Sequence, residues 1–377
     1  TLSSRGSSRL EIVAAQPPRQ THSAVLVAQV SMMRFRVLSR SEVPWAALDR
    51  MPDRTVFQTR AWLEFLAETQ SARAIVAELR DGAAVAGYFT GCVSQRFGVR
   101  LLGSSFPGWT TPYIGFNLLP GVSYAEALPA LERLAFDELR CLHFEVSDRH
   151  MRPEDGANLG FELEHYETYE TDLRLSEGEI LQAMNSACRR CIRKAEKSGV
   201  LIEEATDDGF ASEYYEQLRD VFAKQGLVPT YSEHRVAALI RHLWPTGNLL
   251  LLRALSPDGK CIGTGIYPGF NKVAEFWGNA SWRSSQILRP NEALHWYALR
   301  YWRQRGAEVF DWGGGGTYKE KYGPKPAAHP WFVKSRYRVL AKMRERARAL
   351  VRVRQRLLGR WRASRGPRVE TEAEVAE

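Results

Sequence analysis

The sequence predicts an α/β protein with mixed sheets, built from one folded unit used twice. Two observations carry this. Helix-like and strand-like segments alternate along the chain instead of collecting in separate blocks. Two features also recur in the same order. Residues 75–91 (IVAELRDGAAVAGYFTG) and 249–269 (LLLLRALSPDGKCIGTGIYPG) each read as an apolar strand, an Asp-Gly turn and a strand with an internal glycine. Residues 131–148 (LERLAFDELRCLHFEVSD) and 298–314 (ALRYWRQRGAEVFDWGG) each read as a helix followed by a strand that ends in Asp. A length of 377 residues, 44% hydrophobic, is ample for two such units.

The elements follow in order. Residues 1–32, rich in Ser, Arg, Gln and Pro, read as a disordered leader. The first unit is expected over 33–175, with folded sequence beginning at Met33-Arg34-Phe35-Arg36-Val37. Trp62, Leu63, Phe65 and Leu66 pattern a helix. Strands at 74–79 and 83–91 turn on Asp81-Gly82, a hairpin signal, and 97–102 continues the strand pattern. Residues 103–116 form an aromatic loop rich in Gly and Pro. A helix at 124–139 and a strand at 142–146, ending at Asp148, complete the pattern.

The second unit is expected over 176–334. Ser176 and Glu179 make a capping box that opens one helix running to Gly199, with Met184, Cys188, Cys191 and Ala195 as its apolar stripe. That stripe reads Cys188-x-x-Cys191 as core rather than metal or redox chemistry. A strand at 200–204, helices at 213–224 and 233–243, and strands at 249–255, 261–270 and 273–278 follow. Pro290 precedes a further helix, where its missing N–H costs least, and Gly306 stops it. Residues 308–312 alternate like a short strand.

The net charge of +9 is local. Residues 334–377 hold 14 basic and 5 acidic residues, and the rest of the chain is balanced. The charge therefore speaks of the tail's partner and says little of any active site. Residues 335–377 read as a basic amphipathic helix, with Leu340, Met343, Ala347, Leu350, Leu357 and Trp361 on one face, followed by a disordered end. An anionic membrane surface, tRNA phosphates or the protein's own body would suit that helix. No apolar run approaches the roughly 18 residues of a membrane span. Five scattered cysteines suit a reducing cytoplasm. The expected location is cytoplasmic, with the tail allowing attachment to the inner face of the membrane. No His-Glu-x-x-His pair, serine elbow or Walker loop occurs, and no metal is expected.

The chemistry is expected after the last strand of the second unit. Gly313 to Gly316 follow it, and consecutive glycines let backbone N–H groups converge on an anion or carbonyl oxygen. A flexible surface loop is the ordinary reading of such a run, but Tyr318, Lys319, Lys321 and Tyr322 follow at once. The acyl transfer to an amine that the family resemblance below implies needs a proton acceptor, a stabilised oxyanion and a proton for the leaving group. Glu275 would take the amine's proton; alternatively it is a carboxylate on the exposed face of an edge strand. Asp311 would orient the amine or Lys319, or it merely forms the turn. Lys319 would neutralise the oxyanion or a phosphate, or it is a surface lysine; Tyr318 or Tyr322 would protonate the leaving group, although packing also explains both tyrosines. Arg189, Arg193 and Lys197 recur every four residues and would hold an anionic substrate, or form a solvated basic face.

The chain resembles the FemAB-like branch of the GNAT acyltransferase superfamily, including its BioF2-like acetyltransferases. The resemblance rests on the basic run Arg189 to Val200, Glu275-Phe276-Trp277-Gly278-Asn279, Pro290-Asn291-Glu292, and above all Phe310-Asp311-Trp312-Gly313-Gly314 leading to Tyr318-Lys319-Glu320-Lys321-Tyr322-Gly323. It is clearest over 176–325 and weaker over 50–150. It implies two tandem GNAT-like domains and transfer of an acyl or aminoacyl group to an amine. Acyl-CoA would be the cosubstrate, with no bound cofactor. The acceptor by analogy is a small molecule or an envelope or exopolysaccharide precursor. Asn291, Gly313, Gly314 and Lys321 would join Arg189, Arg193 and Lys197 in binding substrate. An aminoacyl-tRNA-dependent enzyme of the peptidoglycan-bridge type is the alternative, and an inactive binding module a second. Residues 287–293 stand where ordinary acetyltransferases carry a glycine-rich pyrophosphate loop, and no long helical hairpin interrupts the second unit.

Overall fold

The computed structural model describes residues 33–340 apart from 97, 224 and 225. The leader and the basic tail helix from 341 onward lie outside the described residues, with the expectations placed on them. The first half contains β1 (Arg34–Val37), α1 (Trp45–Leu48), α2 (Arg60–Gln70), β2 (Ala72–Asp81), β3 (Ala84–Arg96), β4 (Val99–Gly103), β5 (Gly115–Leu118), α3 (Tyr124–Arg133), β6 (His143–Ser147) and β7 (Glu162–Asp172). The second contains α4 (Glu177–Ala183), α5 (Ser186–Lys197), β8 (Leu201–Glu204), α6 (Phe210–Ala223), α7 (Glu233–Leu243), β9 (Leu249–Leu255), β10 (Cys261–Phe270), β11 (Val273–Glu275), β12 (Gly278–Ser281), α8 (Pro290–Gln304), β13 (Val309–Asp311) and β14 (Lys325–Ser335).

The strands form one mixed sheet in the order β1-β2-β3-β4-β6-β14-β7-β13-β11-β10-β9-β8, with β5 and β12 paired beside β3 and β10. The duplication is visible in the ladders. β1 to β4 are antiparallel and β6 then runs parallel to β4. Likewise β8 to β11 are antiparallel and β13 then runs parallel to β11. Each half is completed by the other's last strand: β7 pairs with β13, and β14 pairs with β6. The exchanged strands β7 and β14 then pair with each other through the middle of the sheet.

The sequence reading had assigned neither β7 nor β14. β7 is crowded with Glu, and β14 carries Pro326 and Pro330, which normally argue against a central strand. The ladders explain the prolines. β6 pairs with β14 only from Trp331 onward, so both prolines lie where β14 has β7 as its one neighbour. Three further expectations are corrected. The helix expected over 176–199 breaks at Met184, because Asn185 caps a new helix by accepting the Cys188 N–H at 2.8 Å. Cys191 is only half-buried, and Ile192 takes its place beside Cys188 and Ala195 in the core. The strand expected over 273–278 divides at Phe276–Trp277 into β11 and β12.

Core packing joins the halves. Trp62, Leu63, Phe65 and Leu66 of α2 are all buried, in one cluster with Val236, Leu239 and Leu243 of α7. Each such side chain contributes roughly 1.5–3 kcal/mol of apolar burial. The shared core holds the loop between β4 and β5 against the second half.

Candidate active site

β10 positions the first carboxylate. It pairs with β11 at Gly269–Phe270 and with β12 at Gly263–Ile266, and the break between them frees β12 from β13. Glu275 ends β11 at that break. It is not on an edge strand, because β11 lies between β10 and β13, and it is 3% exposed. Its Oε2 is buried without a hydrogen-bond partner. Burial, and then the charge of Asp311, push its pKa well above the usual carboxylate range, while Arg149 and Lys319 pull it back.

Asp311, level with Glu275 in the parallel ladder, is fully buried and fully engaged. Its Oδ1 accepts from the Thr168 hydroxyl at 2.5 Å and the Gly313 N–H at 2.9 Å. Its Oδ2 accepts from the Tyr113 hydroxyl at 3.2 Å and lies 3.6 Å from Arg149 Nη1. Arg149 also donates to Tyr113 at 3.1 Å and pairs with Glu170 at 2.7 Å. Glu170 pairs in turn with His329 Nε2 at 3.2 Å. Although burial raises the Glu170 pKa, His329 and Arg149 outweigh it and hold the value at about 2. Burial also opposes the charge of Arg149, but Tyr113, Glu170 and Asp311 keep its pKa above the ordinary value. Tyr113 and Arg149 come from the first half, Thr168 and Glu170 from β7, and His329 from β14. The exchanged strands thus bring both halves to one carboxylate.

The sequence reading missed these five partners. The one local signal was a strand ending at Asp148, immediately before Arg149. Glu170, Asp311 and His329 also have ligand atoms within 4.8 Å of one another, a grouping that could hold a metal ion. The Arg149 guanidinium already supplies positive charge there.

Lys319 is 3% exposed, in a 3-10 turn at Thr317–Tyr322. Its Nζ donates to the carbonyls of Trp312 (2.6 Å), Gly313 and Gly314 (3.0 Å). All three ammonium protons therefore serve the glycine turn, rather than standing free for an oxyanion. Burial lowers its pKa to about 8, against the opposing influence of Glu275 and Asp311. Gly313 has φ +64°, and a Cβ there would stand 2.7 Å from the Phe276 carbonyl oxygen, so the turn requires glycine. Tyr318 is 54% exposed over this turn, whereas Tyr322 is buried and stacks on Trp312 at 4.6 Å.

The remaining candidates separate. Arg193 and Lys197 are exposed on α5, with Arg190 and Lys194. Arg189 turns away from them and donates to the carbonyls of Leu181, Gln182 and Met184 at the end of α4. Lys321 pairs with Glu292 at 2.7 Å, and Asn291 accepts from Asn279 at 3.0 Å. Asn291 lies in the first turn of α8, whose N-cap, Arg289, has φ +63° and makes no side-chain cap.

Residues 183–322 match the family model described as an acetyltransferase (GNAT) domain. No curated protein sequence matches the chain. The crystal structure of FemX is similar at a TM-score of 0.67 and 13% identity, over 82% of this chain and 99% of FemX. A conserved protein of unknown function from Bacteroides thetaiotaomicron is similar at 0.54 and 12% identity, over 80% of this chain and 99% of that one. A tandem GNAT protein from the clavulanic acid biosynthesis pathway aligns at 0.48 and 11% identity, over 81% and 99%. Residues 183–322 therefore carry a GNAT acetyltransferase domain, and the chain as a whole shares its fold with FemX.

Proposed function

We propose that the protein transfers an acyl group from acyl-CoA directly to an amine, with no covalent enzyme intermediate. The observation that carries this reading is the unpartnered, buried Oε2 of Glu275 beside the Asp311–Gly313 turn. A carboxylate of raised proton affinity is suited to accept the proton of an attacking amine. The amine nitrogen forms its new bond to the thioester carbonyl, the C–S bond breaks, and the thiolate leaves with a proton from Tyr318. Since Lys319 is engaged with three carbonyls, the oxyanion would be met by N–H groups of the glycine run, which Lys319 holds in shape. Asp311 would fix that run through the Gly313 N–H and orient the amine. The donor would enter where β12 leaves β13, with its anionic end toward Asn291 and the uncapped first turn of α8. The acceptor would be the amine of a small molecule or of an envelope or exopolysaccharide precursor.

A charged tRNA as donor is the second reading. It is favoured by the exposed row Arg190, Arg193, Lys194 and Lys197 on α5. Thermal-shift titrations of the full chain with CoA thioesters and with aminoacyl-tRNA separate the two, because a ligand of the native state raises the melting temperature. Free thiol should then appear from the thioester in the presence of an amine, and Glu275→Gln should reduce that rate by about 10²–10⁴-fold. Full thiol release by Glu275→Gln would refute the assignment of the base.

A further inference from the structure

Among the described residues, Arg235 is a buried cation without a counter-charge. It is 7% exposed, on the first turn of α7. Its Nη1 donates to the Gly108 carbonyl at 3.3 Å, and its Nη2 donates to the Trp109 carbonyl and to the Thr110 hydroxyl at 3.0 Å. Its Nε is buried with no acceptor. Other buried arginines are answered by carboxylates. Arg54 lies 3.3 Å from Asp49, and Arg253 pairs with Asp207, Glu213 and Glu203. Among the described residues, Arg235 meets only neutral oxygens. Burial lowers its pKa to about 10, which leaves it charged near neutrality. A buried charge that lacks its partner is costly.

Two more donors accompany it. The indole N–H groups of Trp109 and Trp277 are also buried without an acceptor. Tyr231 connects the group: its ring is 5.0 Å from Trp277, and the Arg235 guanidinium lies 5.8 Å from it. The guanidinium also lies 5.9 Å from Phe65, and Phe106 packs on Trp109 at 5.0 Å. These are three N–H donors, one of them charged, among aromatic rings. The complementary ligand is a singly charged oxygen anion on an apolar body. A phosphate would bring more negative charge than one guanidinium answers.

The placement links this group to the reacting centre. Trp277 is two residues from Glu275, at most about 7 Å along the chain. Trp109 is four residues from Tyr113, at most about 14 Å, and Tyr113 donates to Asp311.

We propose that Arg235, Trp109 and Trp277 bind the carboxylate of the amine acceptor. The acceptor is then an amino acid, or a group ending in one, with an apolar or aromatic side chain. This rests on the amine-acylation reading and narrows its substrate. The test is titration calorimetry on the full chain, without any donor, using L-phenylalanine and L-phenylalaninamide. The acid should bind at least about tenfold more tightly than the amide, since it alone supplies a charged hydrogen-bond acceptor. Trp277→Phe and Trp109→Phe keep the rings and remove the N–H groups; each should weaken binding of the acid about three- to tenfold and leave the amide unchanged. Arg235→Lys should lose more than either, with a melting temperature measured beside it. Equal binding of acid and amide, no binding of either, or tryptophan variants that bind the acid like the native chain would overturn the proposal. Failure of thioester turnover with this binding intact counts against the acylation reading instead.

Discussion

The two halves carry the same scaffold with different side chains at its matching positions. At the end of the parallel pair, the second half sets Glu275 level with Asp311, and the first half sets Gly103 level with Glu145. Glu145 is spent on structure: it accepts from the Trp331 indole at 2.8 Å and pairs with His143 at 3.0 Å. The helices differ likewise. α3 is closed by its own capping box, Ser123 with Glu126, whereas α8 starts at Arg289 with no side-chain cap. The break between β11 and β12 is two residues, but its counterpart between β4 and β5 is the long aromatic loop. That loop leaves its own half and reaches Asp311 through Tyr113 and Arg235 through Trp109. The first half thus supplies part of the surroundings of Asp311 in the second.

Breaking the equivalence at the carboxylates should give the largest effect. Asp311→Asn should lower the rate about a hundredfold, because the glycine turn loses its orienting charge. It should also cost about 3 kcal/mol by leaving Arg149 short of a buried counter-charge, read as a denaturant midpoint shift. Glu145→Gln, at the matching position, should cost only about 1–2 kcal/mol and leave the rate unchanged. If both carboxylates affect rate alike, the halves are not specialised.

Two glycines sharpen the contrast within the second half. Gly313→Ala should destabilise by about 1–3 kcal/mol and depress activity, since its left-handed backbone and the Phe276 carbonyl both oppose a Cβ. Gly315→Ala meets nothing within 4 Å and should shift stability by less than about 0.5 kcal/mol. Tyr113→Phe asks whether the first half contributes at all; losing its bond to Asp311 should slow turnover about tenfold, as for a hydrogen bond to a charged group.

The smallest effect is a pH dependence of opposite sign in stability and rate. The Lys319 pKa is lowered from 10.5 to about 8 by burial. Above about 8 the folded lysine is losing its proton while the unfolded one keeps it up to 10.5, so the unfolded chain binds more protons and stability rises with pH across that window. The neutral amine has one N–H fewer for the three carbonyls, so the glycine turn loosens and activity should fall in the same range. Stability and rate profiles from pH 7 to 10 in the native chain and Lys319→Met would check this. Identical profiles in the two would remove Lys319 from the account.

The sequence made the second half's candidate residues legible in outline. Asp311 and the glycines are contiguous, and their order alone marks a strand running into a turn. Glu275 was found as a residue, but its burial was not, because strand periodicity cannot tell an edge from a centre. Lys319 was read as a free cation, since nothing local reveals three carbonyls folding back on it. Tyr113, Arg149, Glu170 and His329 escaped altogether. They lie far from Asp311 along the chain, and only strand exchange makes them neighbours.

What the sequence by itself determined is whatever short-range sterics and periodicity dictate. These are the hairpins at Asp81-Gly82 and Asp258-Gly259, the amphipathic helices, the glycine run and the repeat of one unit. The tertiary structure alone decided that β7 and β14 trade places, that a Glu-rich strand and a proline-bearing strand meet at the centre, and which charges are buried. Hydrogen-bond ladders and ion pairs between distant segments carry no local signature. Their energies exist only once the chain has closed on itself.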